Sequence, residues 1–443
     1  MRTAGKNIMK EKESALTVGT GYSISSDPVK AAKEAAMSAI APLKGKAPTI
    51  TYVFFAGDYD PNKLNEGLMS VLGGTEFVGG SADAVYFEEK MFRKGIVVAS
   101  IQSDYLHVGV ASIDNVSKSP REAAREAVSK ALEKLSIDKF VDPYLQFTRM
   151  KNAHVKWMVK IPSFFVFAFS RGMKLPQMGE EMKIINGISD EVGLDVPIYG
   201  GSFGVELEKL FTGKPYDIYS LHSGKVLKDG LIITVNVCSH LYGLSMAHGA
   251  KRLNKFGYIS GVDKGGYVVT SISGKKPVDW YAEQLGISKE KFVKNYLELT
   301  QLKPLGVPDL YGNYVIRAGG VPNGDFMAFT APFIEGWPVY IMDADPKNVV
   351  SAPAEVAKDI MEYTSETGPA AFCLAILCAS CRVVLKENVV EDLKSLKKKF
   401  RAPIIGFSSF GEIGSKPGGG TGFHHLNADI FVLYSKMLHE ISK

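Results

Sequence analysis

The sequence predicts an α/β fold: a mixed-sheet sandwich built from repeated strand–helix–strand units, with a β-rich insertion starting the C-terminal region. Three observations carry this. A helix pattern recurs in one register: Asp27-Pro28 with Ala31-Ala32, Glu34-Ala35 and Ala39-Ile40, then Ser119-Pro120 with Ala123-Ala124, Glu126-Ala127 and Ala131-Leu132. Each is followed by a proline-led apolar run, Pro48 to Phe55 and Pro162 to Phe169. Each run is followed by a short apolar stretch closed by Gly-Gly-Ser, at Gly79-Gly80-Ser81 and Gly200-Gly201-Ser202. A third, looser copy runs from Pro353 through Pro369–Leu377 to Ile405-Gly406-Phe407-Ser408-Ser409. A unit used three times makes corresponding turns converge, and convergent turns build pockets.

The elements follow in order. Asp27 and Ser119 can cap free N–H groups, and the next proline sits at the first helical position, where its missing N–H costs nothing. Val29, Ala32, Ala36, Ile40 and Leu43 form one apolar stripe, repeated by Ala124, Val128, Leu132 and Leu135. The runs Thr49–Phe55 and Phe164–Phe169, rich in β-branched and aromatic residues, read as central strands covered on both faces. A loop and a helical segment follow each, and the alternation argues stacked layers of helix and sheet. Gly95–Gln102, Leu231–Val237 and Ala428–Tyr434 read as further strands, pairing antiparallel. Between the second and third copies, about residues 252–350 read as a β-rich segment with helices at Asp279-Trp280-Tyr281 and Lys289–Leu299. The boundary between two regions is expected near Asn254–Gly266, giving 14–253 and 254–443.

The totals exclude several classes. At 443 residues, 46% hydrophobic and 22% charged, the chain suits two or three globular regions. Its net charge of +5 is small, and the lysines of 394–399 read as a solvated helix face, so no nucleic-acid partner is expected. Met1–Ser14 shows no secretory signal. The run Pro369–Cys381 is too short to span a bilayer and reads as a buried strand leading into a loop. Four cysteines without framework spacing suit a reducing cytoplasm. Gly19-Thr20-Gly21 lacks the third glycine of a dinucleotide fingerprint, and no phosphate-loop motif appears.

The ordered set of the Asp27-Pro28 helix, Gly79-Gly80-Ser81, Gly200-Gly201-Ser202-Phe203-Gly204, Ala247-His248-Gly249, Pro403–Ile413 and Gly422-Phe423-His424 resembles the FIST sensory family, over about residues 15–435. The resemblance implies an N-terminal and a C-terminal FIST region in a cytoplasmic sensor that binds a small ligand, with amino acids as candidates. It implies signalling to a kinase, cyclase or chemotaxis partner, here a separate protein, since no output domain is attached. It also admits haem and nitric oxide sensing. Where the family often has asparagine after the histidine, this chain has His425.

The residues themselves offer candidates, each with an ordinary structural reading beside it. Glycines 79, 80, 200 and 201 can let a ligand approach the backbone, with Ser81 or Ser202 supplying a hydroxyl, or they can serve packing alone. In the segment 407–413, Phe407 and Phe410 can wall a pocket, Ser408 and Ser409 offer hydroxyls, and Glu412 can pair with an amine. Arg317 can hold a carboxylate by a bidentate fork, so Glu412 and Arg317 facing one cavity would suit an amino-acid zwitterion. Consecutive histidines on a strand face opposite ways. His424 and His248 are therefore considered singly, as haem ligands or as structural imidazoles. No metal-ligand spacing is present. The Cys378–Cys381 pair lacks a second pair for zinc. An enzyme using Cys381 or Glu412 is the remaining alternative, although no acid–base–nucleophile set is visible.

Overall fold

The computed structural model describes residues 15–136, 163–174, 178–212 and 214–438. Met1–Ser14 and Pro162 lie outside the described residues. Each of the three repeats forms a sheet with one plan. In the first, the edge strand Thr17–Ser23 pairs antiparallel with Gly95–Gln102, which pairs antiparallel with Ile50–Ala56, which runs parallel to Phe77–Ala82. The second repeats the order with Leu106–Ile113, Leu231–Cys238, Ser163–Arg171 and Ile198–Phe203. The third does so with His240–Ala247, Ala428–Met437, Phe372–Cys378 and Ile404–Ser409. The sheets are mixed, as the sequence predicts. The edge strand opening each repeat had no expectation attached to it.

Each sheet is completed by a hairpin borrowed from another repeat. The first receives Ser220–His222 with Lys225–Leu227 from the second repeat. The second receives Glu412–Gly414 with Gly422–His424 from the third. The third receives Val85–Phe87 with Lys90–Phe92 from the first. This cyclic exchange caps three open edges that would otherwise leave ladder groups unpaired.

Alternation along the strands then sorts the side chains. Tyr52, Phe54, Phe167, Phe169, Leu374 and Phe431 point into a core shared by all three sheets. Val53 and Phe55 face the helices Pro28–Ile40 and Pro61–Leu72. The second sheet is covered by Pro120–Leu135 and Glu181–Val192, and the third by Ala352–Thr364 and Val389–Phe400. Lys394, Lys398 and Lys399 lie exposed on that last helix. The insertion forms a fourth, seven-stranded sheet from 251 to 343, with Trp280, Tyr281 and Phe292 of its helices buried against it. Its first strand, Lys251–Val262, runs through residue 254 without a break.

Several expectations change. Asp27 caps its helix but Ser119 makes no capping hydrogen bond, and the helix expected over Lys289–Leu299 is two, Lys289–Lys294 and Tyr296–Leu302. The Gly-Gly-Ser segments are strand interiors, not turns. A Cβ added at Gly79, Gly200 or Gly406 would stand 1.5, 1.9 or 1.9 Å from the carbonyl oxygen of Val53, Ala168 or Ala375. The glycines are there because the parallel neighbour leaves no room for a side chain. The expected loop after Cys378 is instead the helix Ala379–Leu385.

Candidate functional site

The repeats do converge, but on packed rings. Phe54 of the first repeat stacks on Phe407 of the third at 4.5 Å, and Phe203 of the second lies 5.7 Å from Phe407. Open space lies further along, where the parallel strands end and the backbone leaves the sheet, the usual place for a ligand in α/β folds.

At the end of the third repeat's parallel pair is a hollow of about 240 Å³. The third repeat contributes Cys378, Ala379, Ser380, Ser409 and Phe410, together with His425. The second contributes Met173, Met178, Leu207 and Leu210. The insertion contributes Tyr296, Leu297, Gln301, Phe329 and Thr330. This seam hollow is mostly apolar with a few polar groups, the composition of small-molecule pockets.

Those polar groups are tied down behind the lining. The Ser409 hydroxyl donates to Glu412, and the Asn427 N–H reaches the other carboxylate oxygen at 3.3 Å. Burial pushes the Glu412 carboxyl well above the usual carboxylate range and lifts the Cys378 and Cys381 thiols well above theirs. The Asn427 amide donates to the His425 carbonyl at 3.0 Å, and Thr330 Oγ1 lies 2.9 Å from His425 Nε2. Burial, reinforced by Arg317, lowers the His425 imidazole to about 3, so it is neutral at pH 7. The Gln301 carboxamide oxygen is buried without a partner.

One carboxylate holds the surrounding walls. Asp83 of the first repeat takes a bidentate pair from Arg382 at 2.5 and 2.7 Å, the Leu207 N–H at 2.8 Å and the Ser408 hydroxyl at 3.1 Å. It thus ties all three repeats together. An isolated aspartate two residues beyond Ser81 gave no sequence signal for this, and nor did Gln301.

A second hollow, of about 310 Å³, lies on the other side of the strand carrying His424. His248 and His424 both line it, with Asn427, Lys416, Glu355 and Asp309. Lys416 Nζ pairs with Glu355 at 2.5 Å. Burial lowers His248 to about 4 and His424 to about 3, the latter also repelled by Arg317 and His248. The two adjacent histidines therefore face different spaces. The strand Gly422–His424 ends at His424, and His425 lies in the bend that follows, so the expected strand alternation is not what separates them. The residues do not fit a haem: the flat apolar rings of a porphyrin would meet lysine and carboxylate side chains in a small space. Among the described residues, no group of three or more His, Cys, Asp and Glu could hold a metal ion.

The expected site residues are thus divided. Ser409 and Phe410 line the seam hollow. Ser81 lines a separate hollow of about 620 Å³ at the first repeat's strand ends, with Tyr59, Lys209 and Tyr219. Ser202 donates to the buried Glu181 carboxyl at 2.5 Å. Gly79, Gly80, Gly200 and Gly201 are buried strand residues, and Phe203 and Phe407 are core rings. Arg317 and Glu412 are not brought face to face. The guanidinium donates to the Phe423 carbonyl at 2.8 Å, while Glu412 turns to Ser409 and Asn427.

The family model of the FIST N domain matches residues 49–275, and that of the FIST C domain matches residues 277–415. No curated protein matches the sequence.

Proposed function

The chain belongs to the FIST family, whose domains sense small ligands in signal transduction, and from that premise we propose that its ligand site is the seam hollow beside Ser409, Phe410 and His425. The supporting observation is shared ownership of the lining. Met173, Leu207 and Leu210 belong to the segment matching FIST N, while Gln301, Phe329 and Ser409 belong to the segment matching FIST C. A ligand held by both has a different affinity for each relative placement of the two, which is the requirement for shifting a population. The shifted surface would be read by a separate signalling protein. We take the setting to be cytoplasmic, since all four cysteines are free and buried. No helix among the described residues is long and apolar enough to cross a membrane.

The test is calorimetry of a small-molecule panel on the wild type and on Leu210→Trp, which fills the seam, with Ala328→Leu, at another lining residue, as a milder filling. Binding that both variants weaken supports the site. Binding that neither alters overturns it. A second reading, an amino acid as ligand, is favoured by the histidine hollow, where Lys416 and Glu355 offer both charges. There, Lys416→Met should weaken amino-acid binding while Leu210→Trp leaves it alone.

A further inference from the structure

We infer that the seam hollow takes an uncharged ligand, an apolar body carrying a hydrogen-bond donor, and excludes carboxylates, ammonium groups and zwitterions. This rests on the seam being the ligand site, and it names the class of molecule that fits it.

The first ground is charge. Among the described residues, the lining contains no Lys, Arg, Asp or Glu. Its imidazole, His425, is neutral at pH 7. Glu412 stands behind Ser409 and is occupied by it. Arg317 lies outside the lining; its Nη1 is given to the Phe423 carbonyl and its Nε is buried without a partner. A charged ligand entering this space would lose its hydration and gain no counter-charge in contact, a cost that binding of a small molecule does not recover.

The second ground is the inventory of polar groups that remain. Ser409 is engaged with Glu412, and Thr330 with His425. Among the described residues, two buried atoms of the lining are left without a partner. One is His425 Nδ1, whose role as donor or acceptor follows the tautomer; the other is the carboxamide oxygen of Gln301, which is only 6% exposed and can only accept. A buried acceptor left unmade is costly, and a ligand N–H or O–H removes that cost. The rest of the wall, including Met173, Met178, Leu207, Leu210 and Phe329, asks for apolar surface. Two methionines give it room to adapt to shape.

Pentanamide, pentanoate, pentylamine and norvaline share an apolar chain and differ in charge, and 2-hexanone adds an uncharged chain without a donor. Binding is read by thermal shift and calorimetry on the full chain, with Leu210→Trp and Ala328→Leu identifying the seam. Pentanamide should bind, and both filling variants should weaken it. Gln301→Leu should weaken pentanamide about fivefold, the worth of one hydrogen bond, while changing 2-hexanone little. The three charged probes should show no binding that the filling variants alter. If a charged probe binds in the seam at least as tightly as pentanamide, the ligand class is overturned and the site stands. If no probe binds in a way that depends on the seam, both the class and the site reading fail. Equal losses for pentanamide and 2-hexanone in Gln301→Leu would overturn the role given to Gln301.

Discussion

Two hollows meet where the strand Gly422–His424 ends, reached by neighbouring residues: His425, in the bend after the strand, opens on the seam and His424 on the histidine hollow. They handle charge in opposite ways. Around the seam, Asp83 pairs with Arg382, the Glu412 carboxyl that burial holds toward its neutral form takes its hydrogen-bond donors, Arg317 gives Nη1 to a backbone carbonyl, and the lining is left apolar. In the histidine hollow, Lys416, Glu355 and Asp309 face the space itself. A buried pair fixes geometry and contributes nothing to ligand charge, whereas an exposed pair adds little to the fold and is available to a ligand. The seam is therefore built to be held in shape, and the histidine hollow to offer charge.

The largest expected effect breaks the first half of that contrast. Asp83→Asn removes the fully buried carboxylate of the pair and leaves the part-buried Arg382 with the exposed Glu208 at 3.4 Å. Removing one partner of a buried pair costs about 3–5 kcal/mol, and with Glu208 remaining the loss should fall at the lower end, about 3 kcal/mol. Urea unfolding should record the loss. Seam binding should fall with it, because Asp83 also holds the Leu207 backbone. A loss under 1 kcal/mol would mean that the walls are held by other contacts.

Next in size is an effect of pH, with opposite signs on the two sides. Glu181 opens the helix adjoining Met178 of the seam; burial raises its carboxyl to about 7, while Ser202 and Arg171 oppose the rise and Glu180 adds to it. With its folded value above the unfolded 4.5, the stability it contributes is full below about 4.5 and is lost as pH rises through about 7. That loss is on the order of 3 kcal/mol. Relative to the wild type, Glu181→Gln should gain stability progressively across that window. His248 behaves the other way. Burial lowers it to about 4, Glu355 opposing and Lys416 assisting, so its contribution is full above about 6.5 and is lost as pH falls toward 4. His248→Gln should gain, relative to the wild type, as pH falls. Chemical denaturation between pH 4 and 7.5 on all three proteins would show both slopes. Parallel curves for a variant and the wild type would refute the assignment for that residue.

Much of the frame was legible in the sequence, and the reasons are local. Pro28 and Pro120 at helix starts, the alanine stripes, and the strands at 50–56 and 163–171 follow from propensity and period, which depend on near neighbours. The repetition itself was visible in the glycine–serine segments. Their meaning was not. A glycine suits a turn and a tight parallel strand equally, and only Val53, 26 residues before Gly79, decides which. The hairpin exchange was hidden because its strands are three residues long, and a period of two cannot be read in so short a run. The seam was legible in part: Ser409 and Phe410 were expected, whereas Leu210, Gln301 and Asp83 enter only through tertiary packing. The pairing of Arg317 with Glu412 was a chemical guess about two residues that the fold turns apart.

The smallest expected effect tests the second half of the contrast. Lys416 pairs with Glu355 at the histidine hollow, and both side chains keep about a third or more of their surface exposed. Water screens such a pair and the lysine pays in rotamer freedom, so Lys416→Met should change stability by less than about 1 kcal/mol. The same substitution removes a cation that lines the hollow. A charged ligand taken up there should therefore lose affinity although the fold is barely altered, and binding of uncharged pentanamide in the seam should not change. The ratio of the two binding changes, measured on one variant, separates the hollows more directly than either stability value. If Lys416→Met instead destabilised the chain by several kcal/mol, the pair would belong with Asp83 and Arg382, and the division between a wall that holds shape and a lining that offers charge would not survive.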